Sequence, residues 1–470
     1  MLRRRPWLWA VLVLLLAAAT AGVGNLYQTA VLGSGFMAQS LCSGFFVSNR
    51  GPDGLIHEDM SGPGYQLLVF FQADIERAAK RVTASMFGLG RRTAIYREGL
   101  GCTLLADKTE TELRAEAADV FPIPTTAADT GSLWPEGERA DTEKLPPEID
   151  HAKLQAAIEA AFAEPNPDRP RRTRALVVVH GGRIVAERYG PGFDASTPLL
   201  GWSMSKTAVN ALTGLLVEDG CLHLADNALL PEWTPPGDPR TAITLDQLLR
   251  MTSGLAFDED YTDHASDIIQ MLYVEGDKAG FAAAKPLAHL PGRSWQYSGG
   301  ASNILARVMR RCFADRRDYL RFPRARLFAP LGMQSAVLEP DEAGTFVGST
   351  FLYASARDWA RLGLLYLRDG IWRGRRLLPQ GWVGYSLSPT PEAPDKEYGA
   401  HVWLKLPESP GGGEPPMPED AYYMLGYDEQ IVAVIPSRDL VIVRLGLTRV
   451  GGNWDSARDL APIVQVFPGP

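Results

Sequence analysis

Gly201-Trp202-Ser203-Met204-Ser205-Lys206-Thr207 decides how this chain is read. Ser203 and Lys206 lie three residues apart, and on a helix that spacing puts both on one face, so the amine reaches the hydroxyl. A serine alcohol is a weak nucleophile at neutral pH until a neighbouring base takes its proton. A lysine serves as that base when burial or nearby positive charge disfavours its ammonium form. Downstream, Ala208, Val209, Ala211, Leu212, Leu215 and Leu216 recur at helical spacing, and Asp219-Gly220 ends the run. The pattern predicts a helix opening at Ser203, where free N–H groups favour developing negative charge. A Ser-x-x-Lys tetrapeptide also arises by chance, so its context carries the reading. Lys is scarce here, and no other Lys has Ser three residues before it. The chemistry that fits is acyl transfer.

Further segments follow in order: Leu245-Asp-Gln-Leu-Leu-Arg-Met-Thr-Ser-Gly254, Phe257-Asp-Glu-Asp-Tyr261-Thr-Asp263, Trp295-Gln-Tyr297-Ser298-Gly299 and Gly426-Tyr427-Asp428-Glu429-Gln430. With Ser203 and Lys206, this series resembles the serine β-lactamase and penicillin-binding-protein superfamily, in its class C-like branch of esterases and amidases. Within that branch it is most similar to the 6-aminohexanoate-dimer (nylon oligomer) hydrolases, which share the Glu-Asp-Tyr segment. The resemblance spans roughly residues 145–466 and implies an α+β fold, with an antiparallel β-sheet flanked by helices and a mostly helical insertion. Two hairpins suit that sheet: 175–179 with 184–189, and 430–435 with 440–447, each rich in β-branched residues around turn formers.

By this resemblance Ser203 attacks a carbonyl, and Lys206 and Tyr297 share the general base and acid roles. Tyr261 contacts the substrate amide, Trp403 lines the pocket, and Tyr427 and Gln430 join them as substrate-binding or oxyanion residues, a backbone N–H near Tyr427 pairing with that of Ser203 as the oxyanion hole. Several departures stand out. Many relatives carry Asn two residues after the tyrosine, where this chain has Gly299, and Asn303 cannot be assumed to replace it. Lys-Thr-Gly is absent, and Glu429 replaces a glycine of the Gly-x-x-Gly-Gln pattern, so the cation that would bind a substrate carboxylate is lost. The acidic group used for a substrate ammonium falls near Leu272. Asp258, Glu259, Asp260, Asp263 and Asp267 offer negative field instead, although such a run is ordinarily a solvated face or a set of caps. The expectation is a serine hydrolase acting on a small ester or amide. The alternatives are a penicillin-binding or D-amino-acid peptidase-like envelope protein, and a non-catalytic sensor of the same fold.

With 470 residues, 46% of them hydrophobic, the chain has material for a large core, and a net charge of −8 with no basic stripe argues against nucleic acid. Seven scattered His and four Cys form no metal-binding spacing, so neither metal nor cofactor is expected. Arg3-Arg4-Arg5 before the uncharged apolar run 7–21 reads as a signal peptide or membrane anchor over 1–24, with export to the periplasm or the cell exterior. Residues 25–121 read as an N-terminal extension of unknown role, with a hairpin around Gly88-Leu-Gly90. In an exported protein a Cys42–Cys102 disulfide and two buried thiols are the open readings. The Pro-, Thr- and acid-rich segment 122–147 reads as a linker, 408–420 as an irregular surface loop, and 148–470 as the hydrolase domain.

Overall fold

Strands covered on both faces read as unbroken apolar runs, and the central sheet is built of such strands. The computed structural model describes residues 6–117, 120, 131–142, 146–147, 149–407 and 417–469. Strands β5 (Thr173–His180) and β6 (Arg183–Tyr189) pair as one hairpin, and β7 (Tyr422–Gly426), β8 (Gln430–Ile435) and β9 (Leu440–Gly446) form a meander. They join in the order β7-β8-β9-β5-β6, antiparallel throughout, with Val443 opposite Val177 and Ile442 opposite Val178. The first and last hairpins of the hydrolase unit therefore meet in one sheet.

Alternation then sorts the side chains. Leu176, Val178, Ile431, Ala433 and Ile442 pack against α-helices 151–162 and 456–464. Val177, Val179, Val432, Val434 and Val441 face the larger core, which holds the nucleophile helix 205–218 and helix 356–367. Each large aliphatic side chain so buried contributes roughly 1.5–3 kcal/mol. The α+β class and the layered arrangement are as the sequence led one to expect.

The N-terminal unit has its own frame. Helix α1 (Pro6–Cys42) packs, from Ala30 onward, on a four-stranded antiparallel sheet, β1 (Phe71–Glu76), β2 (Arg81–Met86), β3 (Leu89–Arg97) and β4 (Gly101–Leu105), in that order. β2 and β3 form the hairpin around Gly88-Leu-Gly90. A disulfide joins Cys42 to Cys102, across the end of α1 and β4. A second disulfide, Cys221–Cys312, ties the end of the nucleophile helix to the end of helix 299–310, and nothing in the cysteine spacing announces it.

Three observations bear on the organisation of the chain. α1 runs unbroken through residue 24. Residues 24–47 are long and apolar enough to cross a membrane, yet 61% of the tested window is buried inside the protein. Residues 131–142 are not a free tether: Trp134 is in the main core, and Arg361 donates to Pro135 O, Gly137 O and the Glu138 carboxylate. One buried Trp in a stretch of Pro, Gly and acids is invisible to composition. The rest of the linker expectation, at 122–130 and 143–145, and most of the 408–420 loop lie outside the described residues.

The extension is docked by carboxylates of the hydrolase unit. Glu339, fully buried, accepts from Gln39 Nε2 (2.8 Å), Ser43 Oγ (2.9 Å) and Cys102 N (2.7 Å). Glu342 accepts from the backbone N–H groups of Ala106 (2.7 Å) and Asp107 (2.8 Å). The two units form one body with shared polar contacts.

Candidate active site

The nucleophile turn is forced into shape before the helix begins. Trp202 has φ +50°, in the left-handed region that costs a bulky residue energy, and Trp202–Met204 makes a single 3₁₀ turn. Ser205 Oγ holds that turn by donating to Trp202 O (2.6 Å) and Thr350 O (2.9 Å). Gly426 must be glycine for the neighbouring strand to close on it, since a Cβ there would lie 2.3 Å from Gly201 O. Helix 205–218 follows, with every residue from 205 to 216 buried. Its two mid-helix polar groups are satisfied: Asn210 Nδ2 donates to Ala400 O (2.8 Å) and its Oδ1 accepts from Tyr366 Oη (2.6 Å), while Thr213 bonds Val209 O.

Lys206 is 1% exposed, and its Nζ shares a 2.8 Å hydrogen bond with Ser203 Oγ. The amine also donates to Ser349 O (3.1 Å), and Ser349 N donates to Asn303 Oδ1 (3.0 Å). Asn303 therefore acts through Ser349 to place the lysine, a role the sequence did not reveal. Nζ lies 4.7 Å from the centroid of the Tyr297 ring. The resemblance gives Tyr297 a share in the proton transfer. Among the described residues its hydroxyl bonds neither Ser203 nor Lys206, and the amine lies against the ring instead.

Two groups of rings flank the nucleophile. Tyr261 stacks on Tyr427 (4.8 Å between centroids, 20° between planes), and Trp202 meets both edge-on. Tyr297 packs on Trp403 (5.3 Å) and Tyr398 (5.8 Å), with Trp295 behind. Burial raises the Tyr261 phenol well above its ordinary value, against a smaller opposing pull from the Thr350 side chain, which keeps it a neutral donor with an enclosed Oη. Trp295 Nε1 is enclosed and unpartnered.

Gln430 enters the site differently from the expectation. Its Nε2 donates to Gly446 O (2.7 Å) and Asp428 O (3.1 Å), and its Oε1 accepts from Gly446 N (2.9 Å). The amide is fully used on backbone, so Gln430 shapes the 427–429 turn rather than meeting a ligand. That turn holds Asp428 and Glu429 at φ +59° and +63°. Asp428, 1% exposed, pairs with Arg449 at 2.6 Å, and Arg449 also donates to Asp59 O and to Tyr65 Oη of the N-terminal unit.

Of the five clustered acids, only Glu259 turns inward. Asp258, Asp260 and Asp263 accept from backbone N–H groups two residues on, and Asp267 pairs with Lys285. Glu259 accepts from Gly299 N (2.6 Å), and its other oxygen is enclosed and unpartnered. A Cβ at Gly299 would lie 2.7 Å from Ile268 Cδ1 and 3.2 Å from both carboxylate oxygens, so the missing side chain at 299 leaves room for Ile268 and Glu259 together. Leu272, where an ammonium-binding acid was sought, is fully buried core.

Burial pushes the Glu259 carboxyl up to about 7, against the pull of the Lys206 charge and the Gly299 N–H. Folded protein then holds this proton more tightly than the unfolded chain between pH 4.5 and about 7. The group's stability contribution is full below that window and is lost as pH rises through it. Glu259→Gln is expected to flatten that part of the melting-temperature profile. A profile unchanged between pH 4 and 8 would place the carboxylate in solvent.

His401 was not singled out by sequence. Buried, with its pKa pushed down to about 3, it is neutral, bridging Leu249 O (2.7 Å) and Ser302 Oγ (2.8 Å) behind the lysine. Among the described residues no cluster of His, Cys, Asp and Glu could hold a metal ion.

A family model described as Beta-lactamase matches residues 156–465. A 6-aminohexanoate-dimer hydrolase of Paenarthrobacter ureafaciens is 27% identical over 244 residues, 47% of this chain. The match spans about 60% of that relative's length. A provisionally named 6-aminohexanoate-dimer hydrolase from Bacillus anthracis shares the fold, with TM-score 0.50, 23% identity and coverage of 63% of this chain and 77% of the other. A penicillin-binding-protein homologue from Caulobacter crescentus shares it too, with TM-score 0.52, 16% identity, and 68% and 98% coverage.

Proposed function

The chain belongs to the Beta-lactamase family, and on that premise we propose that it is a serine hydrolase cleaving a small ester or amide through an acyl-enzyme on Ser203. The observation that carries this is the buried Lys206 amine 2.8 Å from Ser203 Oγ. Starting from Lys206 as the neutral amine, Oγ attacks the substrate carbonyl while its proton passes to Lys206 Nζ. The backbone N–H groups of Ser203 and Tyr427 would stabilise the oxyanion. As the tetrahedral intermediate collapses, the acyl C–O or C–N bond breaks and the leaving group takes the proton, from Lys206 or through the Tyr297 hydroxyl beside it. Water then attacks the Ser203 ester by the reverse route, releasing the acid and restoring the hydroxyl.

An amide-cleaving relative supports the amidase side of this reading. A peptidase or β-lactamase reading asks for a cation at the substrate carboxylate, and here the 426–430 turn presents Asp428 and Glu429 instead. The apolar N-terminal helix and the two disulfides support export and attachment to a membrane. Turnover of p-nitrophenyl acetate that vanishes in Ser203→Ala upholds the proposal. Turnover retained in that variant would defeat it.

A further inference from the structure

We propose that an apolar cleft between the N-terminal unit and the hydrolase domain takes the acyl chain of an amphipathic ester or amide substrate delivered from a bilayer leaflet. This deepens the hydrolase reading and rests on it. The cleft, a cavity of about 270 Å³, is walled by Leu32 and Phe36 of α1, Leu68 and Phe71, Ile269, and Val450. It ends on Trp202, Tyr261 and Tyr427, the chain neighbour of Ser203 and the stacked pair beside it. An apolar chain seated there would bring its carbonyl end toward the nucleophile turn.

The mouth of the cleft is itself apolar. α1 is exposed from Gly24 to Gln28 and enters the fold at Thr29–Ala30. Around that point stand Leu26, Tyr27, Leu67, Val69, Phe70 and Phe87, with Val69 77% and Phe87 72% exposed. The elements that carry them are packed together: the Phe70 and Phe87 ring centroids are 5.9 Å apart, Phe71 packs on Gly33, and Gly90 lies against Ala30 and Val31. All but three of the exposed large hydrophobics among the described residues belong to this unit. A water-soluble surface rarely keeps such a patch without a partner. Toward the N-terminus the sequence continues apolar and uncharged to Trp7, behind three arginines. A bilayer is the partner that covers both the helix and the patch, and it sets the cleft mouth at the depth of lipid acyl chains.

The test uses the full chain in lipid nanodiscs with p-nitrophenyl esters from acetate to dodecanoate. kcat/KM is expected to rise with length, up to about fourfold for each methylene that enters the cleft. Leu67→Trp and Val450→Trp, both at exposed positions, are expected to reduce dodecanoate turnover tenfold or more and leave acetate unchanged. A flat length profile with acetate turnover intact overturns the cleft and spares the hydrolase reading. So does an equal loss on both esters, and a dimer seated on the cleft would give the flat profile.

If neither these esters nor the matching p-nitroanilides are turned over, the hydrolase reading fails and a second arm decides the cleft. Ser203→Ala protein in the same nanodiscs is irradiated with a diazirine-bearing dodecanoic acid. Adducts on Leu32, Leu68 or Ile269 that Leu67→Trp abolishes uphold the cleft; adducts confined to residues 6–28 overturn it.

Discussion

Lys206→Met is expected to lower kcat/KM for an ester by ~10²–10⁴-fold, the range that a positioned general base supplies. The physical case is specific to this lysine. Its amine is buried, bonded to Ser203 Oγ and Ser349 O, and held over the Tyr297 ring. Methionine keeps the apolar stem and fills most of the same volume, so the fold loses two hydrogen bonds, to Ser203 Oγ and Ser349 O, each worth about 1 kcal/mol. Because the lost interaction develops during attack, kcat falls and KM stays near its starting value. Kinetics and a thermal melt on the same preparation separate the two effects. A variant within a few-fold of wild type would remove Lys206 from the proton path.

Arg449→Ala is expected to destabilise the protein by about 3–5 kcal/mol, because it removes one partner of a buried ion pair. Asp428 is left enclosed, with one oxygen already lacking a partner, and burial already pushes its carboxyl upward. In the variant that carboxyl is expected to take up a proton on folding, so the loss grows as pH rises. Activity is expected to fall as well. Arg449 fastens the 427–429 turn to Asp59 and Tyr65, and a misplaced oxyanion donor costs ~10²–10³-fold in kcat. Denaturant melts at pH 5 and 8, with ester kinetics, test both parts. A loss under 1 kcal/mol at pH 8 would show that the pair is surface-like and the turn self-supporting.

How much of this was legible in the sequence follows from how local each signal is. Ser203 and Lys206 needed only the three-residue spacing of one helix, and the two sheet hairpins needed only runs of β-branched residues around turns. Glu259 was unreadable because its four acidic neighbours have the same composition, and only the tertiary fold decides which one meets Gly299 N. The missing asparagine at 299 looked like a loss. In three dimensions it leaves room for Ile268 and a carboxylate together. Gln430 looked like a ligand-facing amide because sequence does not reveal that Gly446 occupies both ends of it. The apolar pattern of α1 fits both a membrane segment and a core helix, and the structure uses residues 29–42 as core.

The proposed mechanism requires Ser203 to be an activated nucleophile. Intact mass after treatment with a fluorophosphonate probe, on wild type and Ser203→Ala side by side, tests this without any choice of substrate. One adduct is expected on the wild type and none on the variant. No adduct on either, or equal labelling of both, would contradict it.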